Sequence, residues 1–254
     1  MSISTGMYGK QIIAFEGLDA CGKDTQIEKL FEYFDKNGIK YYYAKQLETE
    51  LGHFIREKYL AAGQNKTVNV LNMLFAAERI EYCLEVNKKV KEGYVVIMNR
   101  FLLSAYAYGA YIGLKQNTSL FNNIYKHIDE INKEVKNLFW PGLTFYLDIQ
   151  PEDAIERINK RNGKAEIYDD LEKLKYIHEA FSIAISDNYL PLSNRPLFMN
   201  SRLIQIDAMK SIEDINKEII SSVEKYLKEI KEVSNENSST GDICINSTNI
   251  STCK

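Results

Sequence analysis

The sequence predicts an α/β fold, with one sheet of five parallel strands flanked by helices. Short apolar segments recur along the chain, and longer segments with helical periodicity separate them. Strands that are apolar throughout are typical of parallel sheets whose two faces are both buried. The chain has 254 residues, 45% of them hydrophobic, which is enough for one large domain with a sizeable core.

Five segments are predicted as strands. They are short and rich in β-branched, aromatic or other apolar residues, and helix-like segments separate them. No internal repeat relates them to one another. In chain order, the predicted strands are residues 12–15, 39–44, 94–98, 143–147 and 203–206.

Helices are predicted between these strands. Residues 52–62 and 68–92 are predicted as two helices, the second of which ends at Gly93. Segment 115–138 is polar but has apolar residues three or four positions apart, so we interpret it as a helical excursion before the fourth strand. The helix after the first strand is predicted from apolar residues at helical spacing: Ile27, Leu30, Phe31 and Phe34.

The predicted domain covers residues 1–232, and a polar tail follows it. From about residue 233 the chain is rich in serine, asparagine and threonine and has no hydrophobic periodicity. Such a segment buries too little apolar surface to offset the entropy cost of ordering it. We therefore predict that residues 233–254 are disordered.

Charge and cysteine content restrict the partners and the compartment. A net charge of −3 argues against non-specific binding to nucleic acid. The four cysteines lack the spacing of a metal site, which favours a reducing compartment. The first residues lack the apolar core of a signal peptide, and no segment has the length and apolarity of a membrane span. We expect a cytoplasmic protein without a membrane or nucleic-acid partner.

The turn after the first strand has the spacing of a phosphate-binding loop. Residues 17–23 follow the pattern Gly-x-x-x-x-Gly-Lys, directly after a strand and before a helix. In such a loop, backbone N–H groups surround an anion and the helix N-terminus adds roughly half a positive charge. Lys23 supplies a full positive charge. One position departs from the pattern: Asp24 stands where a serine or threonine hydroxyl normally binds Mg²⁺, and Thr25 comes one place late.

Further candidate ligand groups follow the predicted strands or lie on the long helix. Arg100 comes directly after the third strand, and Ser104 and Tyr108 follow it. A basic segment, 157–164, follows the fourth strand and precedes Tyr168. Phosphoryl transfer needs several cations that converge from different elements, and this set of residues offers them. Alternatives remain for single members: Phe75 as a core residue, Arg79 as a solvated charge, and the basic segment as an exposed helix face.

The chain resembles the thymidylate kinases, which are nucleoside monophosphate kinases of the P-loop NTPase type. The resemblance covers about residues 10–230 and rests on several motifs in one order: FEGLDACGKDTQ, LFAAER, MNRFLLSAYAYG, EIYDD and IDAMKSIEDI. It implies a P-loop NTPase fold with a small lid, ATP and Mg²⁺ as co-substrate and cofactor, and a homodimer. The implied reaction is the transfer of a phosphoryl group from ATP to dTMP.

The resemblance also implies a role for each matching residue. Lys23 would hold ATP phosphates, and Arg161 would belong to the lid that closes over ATP. Asp19 would contact the acceptor sugar near the transferred group, and Arg100 would bind the acceptor phosphate. The implied ATP site consists of Gly17, Leu18, Asp19, Ala20, Cys21, Gly22, Lys23, Asp24 and Thr25, with Asp24 as the candidate Mg²⁺ ligand, directly or through water.

The acceptor site is implied in the same way. Phe75 would stack on thymine and Arg79 would bind a base oxygen; one helical turn separates them, so they share a helix face. Tyr108 would exclude a ribose 2′-hydroxyl, and Tyr168 would pack near the bound nucleotide. The implied acceptor set is Phe75, Arg79, Arg100, Ser104, Tyr108 and Tyr168.

Four departures from the family pattern leave the acceptor open. Asn99 replaces an aspartate, Ile167 replaces a lid arginine, and residues 45–47 lack an expected phosphate-binding arginine. Gly109 stands where a polar residue often approaches the base. Two alternatives to dTMP phosphorylation follow. One is a kinase that accepts UMP, CMP or a broader set of deoxynucleotides; the other, suggested by Asp24 and Asn99 together, is a nucleotide-binding regulator that has lost catalysis.

Overall fold

The computed structural model describes residues 9–60, 68–116, 118–132, 141–160, 170–186 and 202–239. Within them, the five predicted strands form one parallel sheet with the order β2-β3-β1-β4-β5. This confirms the predicted fold class. The strands are β1 Ile12–Glu16, β2 Tyr41–Lys45, β3 Val95–Asn99, β4 Leu143–Asp148 and β5 Arg202–Asp207.

Burial differs between the inner and outer strands of this sheet. All residues of β1 and β3 are buried, and so are all residues of β4 except Asp148. The outer strands β2 and β5 are only half-buried or exposed, and each has a single buried residue. The expectation of fully buried strands therefore holds only for the centre, because a strand at the edge has a neighbour on one side.

Helices connect the strands and cover the sheet. The predicted helices are present with ends shifted by a few residues, and α5 lies within the polar excursion. The helices are α1 Lys23–Lys36, α2 Glu50–Tyr59, α3 Val68–Lys91, α4 Leu102–Gln116, α5 Thr118–Ile131, α6 Pro151–Asn159, α7 Leu171–Ile185 and α8 Ile212–Ser239.

The last helix, α8, extends into the predicted tail. It ends at Ser239, whereas the tail was predicted to begin at residue 233. A helix that is already formed needs only one more hydrogen bond for each residue added, so a polar segment can prolong it without apolar periodicity. Residues 233–239 of the predicted tail are therefore helical, residues 240–254 lie outside the described part of the chain, and the domain boundary stays a prediction.

The topology brings three chain segments to one edge of the sheet. β1 runs into the phosphate loop, and β3, its neighbour, runs into Arg100, whose backbone N–H donates to Phe15 O at 2.9 Å. Because parallel strands end at the same edge, the loop, Arg100 and the start of α4 meet there. None of the described helices is both long enough and apolar enough to cross a bilayer.

Candidate active site

The backbone of the phosphate loop depends on glycine at two positions. Gly17 and Gly22 have φ angles of +138° and +100°, a region that side-chain-bearing residues rarely adopt. A Cβ atom on Gly17 would lie 2.5 Å from the carbonyl oxygen of Leu147 on β4. The loop can therefore pack against the sheet only with glycine at position 17.

Lys23 lies inside this loop at the first position of α1. Its ammonium group donates to the carbonyl oxygens of Leu18 at 2.7 Å and Gly17 at 3.1 Å, and contacts Cys21 Sγ at 3.3 Å. Burial and the nearby Arg100 lower the pKa of Lys23. The loop thus holds the cation at the place where phosphate oxygens are expected.

Arg100 is the centre of a hydrogen-bond network between the loop and α4. It donates to Gly17 O at 2.8 Å, to Ser104 Oγ at 3.0 Å and to Asp19 Oδ1 at 2.6 Å. Tyr108 donates its hydroxyl to Asp19 Oδ2 at 2.9 Å. The structure therefore brings four residues predicted from sequence into one cluster.

Two features distinguish this cluster: the strained backbone of Arg100 and the lowered pKa of Asp19. Arg100 has a φ angle of +71°, a conformation that costs a non-glycine residue about 1–3 kcal/mol and is often found at functional sites. Burial opposes ionisation of Asp19, but the charges of Arg100 and Lys23 outweigh it, so the pKa of Asp19 is lowered. Asp19 is therefore ionised at neutral pH and neutralises part of the positive charge.

Glu16, the last residue of β1, belongs to the site but was not predicted from sequence. Its carboxylate accepts from the backbone N–H groups of Phe101, Leu103 and Ser104 and from the Ser104 hydroxyl. These groups lie at the N-terminus of α4, where a carboxylate is favoured, although burial raises the pKa of Glu16. The signal was present in the sequence as an acidic residue ending an otherwise apolar strand.

A cavity of about 640 Å³, including its open mouth, extends from this cluster between the helices. The β2–α2 loop, α3, α4 and α5 surround it. Its lining residues include Asp19, Gln46, Leu47, Asn72, Phe75, Arg79, Arg100, Ser104, Tyr108, Gly109, Ile128 and Asn132.

Phe75 and Arg79 line this cavity together, as their spacing on α3 predicts. Arg79 is only 1% exposed, so the alternative of a solvated charge is wrong. Its guanidinium donates to Asn132 Oδ1 at 2.5 Å, and its Nε atom has no partner among the described residues. A buried donor without a partner is costly, and a ligand is one way to satisfy it.

Two asparagines in the cavity were missed in the sequence. Asn132 follows α5 and binds Arg79, while its own amide donates to Ile128 O at 2.8 Å. Asn72 lies on α3, and its amide donates to Gly109 O on α4 at 3.3 Å. No local pattern marks either residue, because each acquires its role through a partner that is distant in sequence.

The departures at Asp24 and Asn99 are in direct contact. Asn99 Nδ2 donates to Asp24 Oδ1 at 2.7 Å and to the Tyr43 hydroxyl at 2.9 Å. Lys45 Nζ lies 3.9 Å from the same Asp24 oxygen. The two substituted positions therefore form one polar cluster next to Lys23, and Asp24, like Thr25, is exposed on α1.

The loop between β2 and α2 forms one wall of the cavity and is held from α3. Leu47 has a φ angle of +70°, and its backbone N–H donates to Glu78 Oε1 at 2.9 Å. A Cβ atom on Gly52 would lie 2.4 Å from Leu47 Cα, so the loop packs tightly against α2. Burial raises the pKa of Glu78 to about 7, although the Leu47 N–H and Arg79 oppose the shift.

The structure leaves part of the predicted site undescribed. Arg161, Tyr168 and Ile167, and with them the lid, lie outside the described residues. Arg157, at the start of the basic segment, donates to Ala20 O at 3.3 Å and to Ala208 O at 3.0 Å. The basic segment therefore begins with a contact to the phosphate loop rather than as a purely solvated face.

Comparison with known proteins agrees with this geometry. A sequence profile of the family described as thymidylate kinase matches residues 15–219. The thymidylate kinase of Caldanaerobacter subterraneus subsp. tengcongensis is 32% identical, with 89% of this chain and all of that protein covered. That of Plasmodium falciparum is 30% identical, with 87% and 93% covered.

A solved structure shows the same fold. A structure of thymidylate kinase from Candida albicans aligns with a TM-score of 0.64 and 21% identity, covering 88% of this chain and 93% of that one. At this identity the likeness supports the fold alone. The profile match and the sequence relatives carry the assignment: the chain belongs to the thymidylate kinase family.

Proposed function

We propose that the protein transfers the γ-phosphoryl group of ATP to dTMP, giving dTDP and ADP. One observation carries the proposal: the cavity lined by Phe75 and Arg79 opens onto Arg100 and Asp19, and Arg100 binds the phosphate loop. A nucleotide with its base against Phe75 would place its phosphate beside the loop. The two phosphates would then meet at the edge of the sheet.

The side chains at this junction fit phosphoryl transfer. The reaction depends mainly on positioning and on neutralising charge at the phosphoryl oxygens, and it needs little covalent chemistry from the protein. Lys23 and the loop N–H groups would hold the donor phosphates, and Arg100 would hold the acceptor phosphate. Asp19, bound to Tyr108 and Arg100, would contact the acceptor sugar.

Magnesium fits the site as an ion that arrives with the nucleotide. Among the residues that the structure describes, no cluster of three or more His, Cys, Asp or Glu side chains could hold a metal alone. Mg²⁺ needs only one or two carboxylates besides water and phosphate oxygens, and Asp24 supplies one beside Lys23. The ion would neutralise charge on the transferred phosphoryl group. Asp24 would bind it directly or through water.

The contact between Asp24 and Asn99 supports an exchange of roles between the two positions. With the Asp24 carboxylate on the loop and the Asn99 amide on the strand, only one negative side chain would face the ion, and the Asn99 amide donates a hydrogen bond that orients this carboxylate.

Under the exchange, Asp24→Ser lowers both kcat and the affinity for Mn²⁺, which electron paramagnetic resonance measures. Asp24→Ser combined with Asn99→Asp restores much of both. A rise in kcat for Asp24→Ser alone would show that Asp24 repels the phosphates instead.

A coupled ADP-release assay tests the proposed reaction. The acceptors are dTMP, UMP and CMP at equal concentration, with ATP hydrolysis in the absence of acceptor as the control. We expect the highest kcat/KM with dTMP. A preference for UMP or CMP would change the acceptor, and ATP binding without transfer to any monophosphate would favour the regulator.

We also propose a homodimer that forms through α3. One face of this helix packs on the core, yet the opposite face carries four exposed apolar side chains that are three, seven and four positions apart along the chain. Val70, Met73, Ile80 and Leu84 are 42%, 54%, 36% and 64% exposed. This is the spacing of a seam between two helices.

A cytoplasmic location is part of the same proposal. The described cysteines Cys21 and Cys83 are free thiols, which supports a reducing compartment.

Light scattering tests the dimer. Leu84→Glu should halve the molecular mass in solution because it places a charge in the apolar seam. Leu203→Glu is the matched control, since Leu203 is 40% exposed on the edge strand β5, away from α3. A monomeric wild-type protein would contradict the proposal.

A further inference from the structure

The base of a thymine nucleotide needs a partner that Arg79 does not provide. The thymine edge presents two oxygen acceptors and, between them, the N3–H donor. A guanidinium has only donors, so Arg79 can bind an oxygen but cannot accept the N3–H. A buried N3–H without an acceptor would lose affinity, because it gives up its hydrogen bond to water.

The polar groups around Phe75 differ in what they still offer. Each end of the Asn132 amide already has one protein partner: the oxygen accepts from Arg79 and the nitrogen donates to Ile128 O. Asp19, Arg100, Ser104 and Tyr108 are bonded into the network beside the phosphate loop. Asn132 is therefore a positioning residue for Arg79, and it comes from the polar excursion whose role the sequence did not reveal.

Asn72 is placed to complete the recognition of the base. It lies three residues before Phe75 and seven before Arg79, so all three share one stripe of α3 and all three line the cavity. Asn72 is only 8% exposed, and its Nδ2 donates to Gly109 O. This bond fixes the amide, whose Oδ1 lies against Gly109 and accepts no hydrogen bond from the described residues.

Gly109 makes room for this amide. A Cβ atom on Gly109 would lie 2.6 Å from Asn72 Oδ1 and 2.6 Å from Ile128 Cδ1. Contacts this close require Asn72 to move. Gly109 and Asn72 therefore fit together: because position 109 of α4 has no side chain, the Asn72 side chain of α3 has room beside it.

We infer that Asn72 determines base specificity: its amide occupies the space that Gly109 leaves, and its Oδ1 accepts the N3–H of the acceptor nucleotide. The inference rests on the proposed function for the identity of the acceptor. It predicts discrimination against a base of the same shape whose N3 is an acceptor. The methylated base 5-methylcytosine has this property and keeps the C5-methyl group of thymine.

Titration calorimetry with dTMP and 5-methyl-dCMP tests the inference without requiring turnover. The wild-type protein should bind dTMP more tightly than 5-methyl-dCMP. Asn72→Leu should reduce the ratio of the dissociation constant for 5-methyl-dCMP to that for dTMP by about tenfold or more, since it removes the acceptor. Asn123→Leu is the matched control: it makes the same change at an exposed position of α5 and should leave the ratio unchanged.

Gly109→Ala provides a second, independent variant. It displaces Asn72 without removing it, so the ratio should fall in the same direction. The double variant should lose little more than either single one, because both changes act on one interaction. Gly109→Ala carries the test if Asn72→Leu shows no cooperative melting transition.

The outcomes separate this inference from the proposed function. A ratio within twofold of the wild-type value in both single variants would overturn the inference. Binding of dTMP without phosphoryl transfer would contradict only the proposed function. If the wild-type protein does not bind dTMP, both fail.

Discussion

The phosphate loop and the cavity lined by Phe75 and Arg79 lie side by side but are built in different ways. The loop is one continuous stretch, residues 17–23, and its shape is set by the backbone at Gly17 and Gly22. The cavity is assembled from side chains on three helices and the β2–α2 loop. Its key contacts join residues distant in sequence, such as Arg79 with Asn132.

The difference explains how each region recognises its ligand. Backbone N–H groups and a lysine bind phosphates of any nucleotide, because every nucleotide presents similar anionic oxygens. The cavity instead presents an aromatic face, an arginine and the hydrogen-bonded amides of Asn72 and Asn132, which suits a particular base. Substitutions in the loop should therefore affect the reaction itself, and those in the cavity should affect the choice of acceptor.

The largest effect is expected at Lys23. Lys23→Met should lower kcat by about 100- to 1,000-fold, the usual cost of removing one preorganised positive or hydrogen-bonding group from a transition state. The melting temperature shows whether the variant still folds, because methionine also removes the ammonium bonds to Gly17 O and Leu18 O. Steady-state kinetics and a thermal melt measure both. A kcat within threefold of the wild-type value would remove Lys23 from the mechanism.

The second largest effect is expected at Phe75, where a substitution should change binding in the cavity without changing binding in the loop. Phe75→Ala should raise the dissociation constant for dTMP about tenfold or more, because base–aromatic stacking is worth about 1–3 kcal/mol. ATP affinity should stay unchanged. Leu74→Ala is the control, since this neighbour packs on the core but does not line the cavity. A loss of ATP affinity with dTMP binding intact would show that the cavity is not the acceptor site.

A smaller effect is expected at Tyr108, which joins the two regions. Tyr108→Ala should narrow the kcat/KM preference for dTMP over its ribose analogue several-fold, because the ring would no longer exclude the 2′-hydroxyl. Tyr108→Phe keeps the ring and should keep the preference, while the loss of the hydroxyl bond to Asp19 lowers kcat. If neither variant changes the preference, Tyr108 has no part in excluding the ribose.

The smallest expected effect concerns stability and pH at the cavity wall. Glu78, which accepts from the Leu47 N–H, has a pKa of about 7, mainly because it is buried. The charges of Glu81 and Glu48 also raise this pKa, whereas Arg79 lowers it. The folded protein therefore holds a proton that the unfolded chain releases near pH 4.5, so this group lowers stability as pH rises from about 4.5 to 7.

Glu78→Gln removes that dependence. The melting temperature of the variant relative to the wild-type protein should rise steadily over this pH range, with a free-energy difference on the order of 1 kcal/mol or more at neutral pH. Glu32→Gln, the same change at an exposed position of α1, is the control. A difference in melting temperature that does not change with pH would show that Glu78 does not titrate in this way.

Sequence reasoning predicted the loop better than the cavity, and for a physical reason. Strand, glycines and lysine are contiguous, so their spacing alone predicts an anion site at Lys23. Glu16 could have been found, because an acidic residue at the end of a buried strand is unusual. Asn72 and Asn132 could not, since their roles depend on the distance between helices, which one sequence does not encode locally.

The fold shows the same division. The strands of the parallel sheet follow from short apolar segments, but the exposure of β5 depends on its place at the sheet edge. The described part of α8 reaches Ser239 although its last residues have no apolar periodicity, which an existing helix permits because each added residue brings one more hydrogen bond. Local patterns therefore predict which elements form, and the assembled structure decides how far they extend and which faces are covered.

The central claim is that a phosphoryl group passes from ATP in the loop to dTMP in the cavity. Incubation with dTMP and ATP labelled with ³²P at the γ-position, followed by separation of the nucleotides, measures this transfer directly. We expect the label in dTDP, one labelled dTDP for each ADP formed. Label that remains in ATP, or that appears only as inorganic phosphate, would contradict the claim.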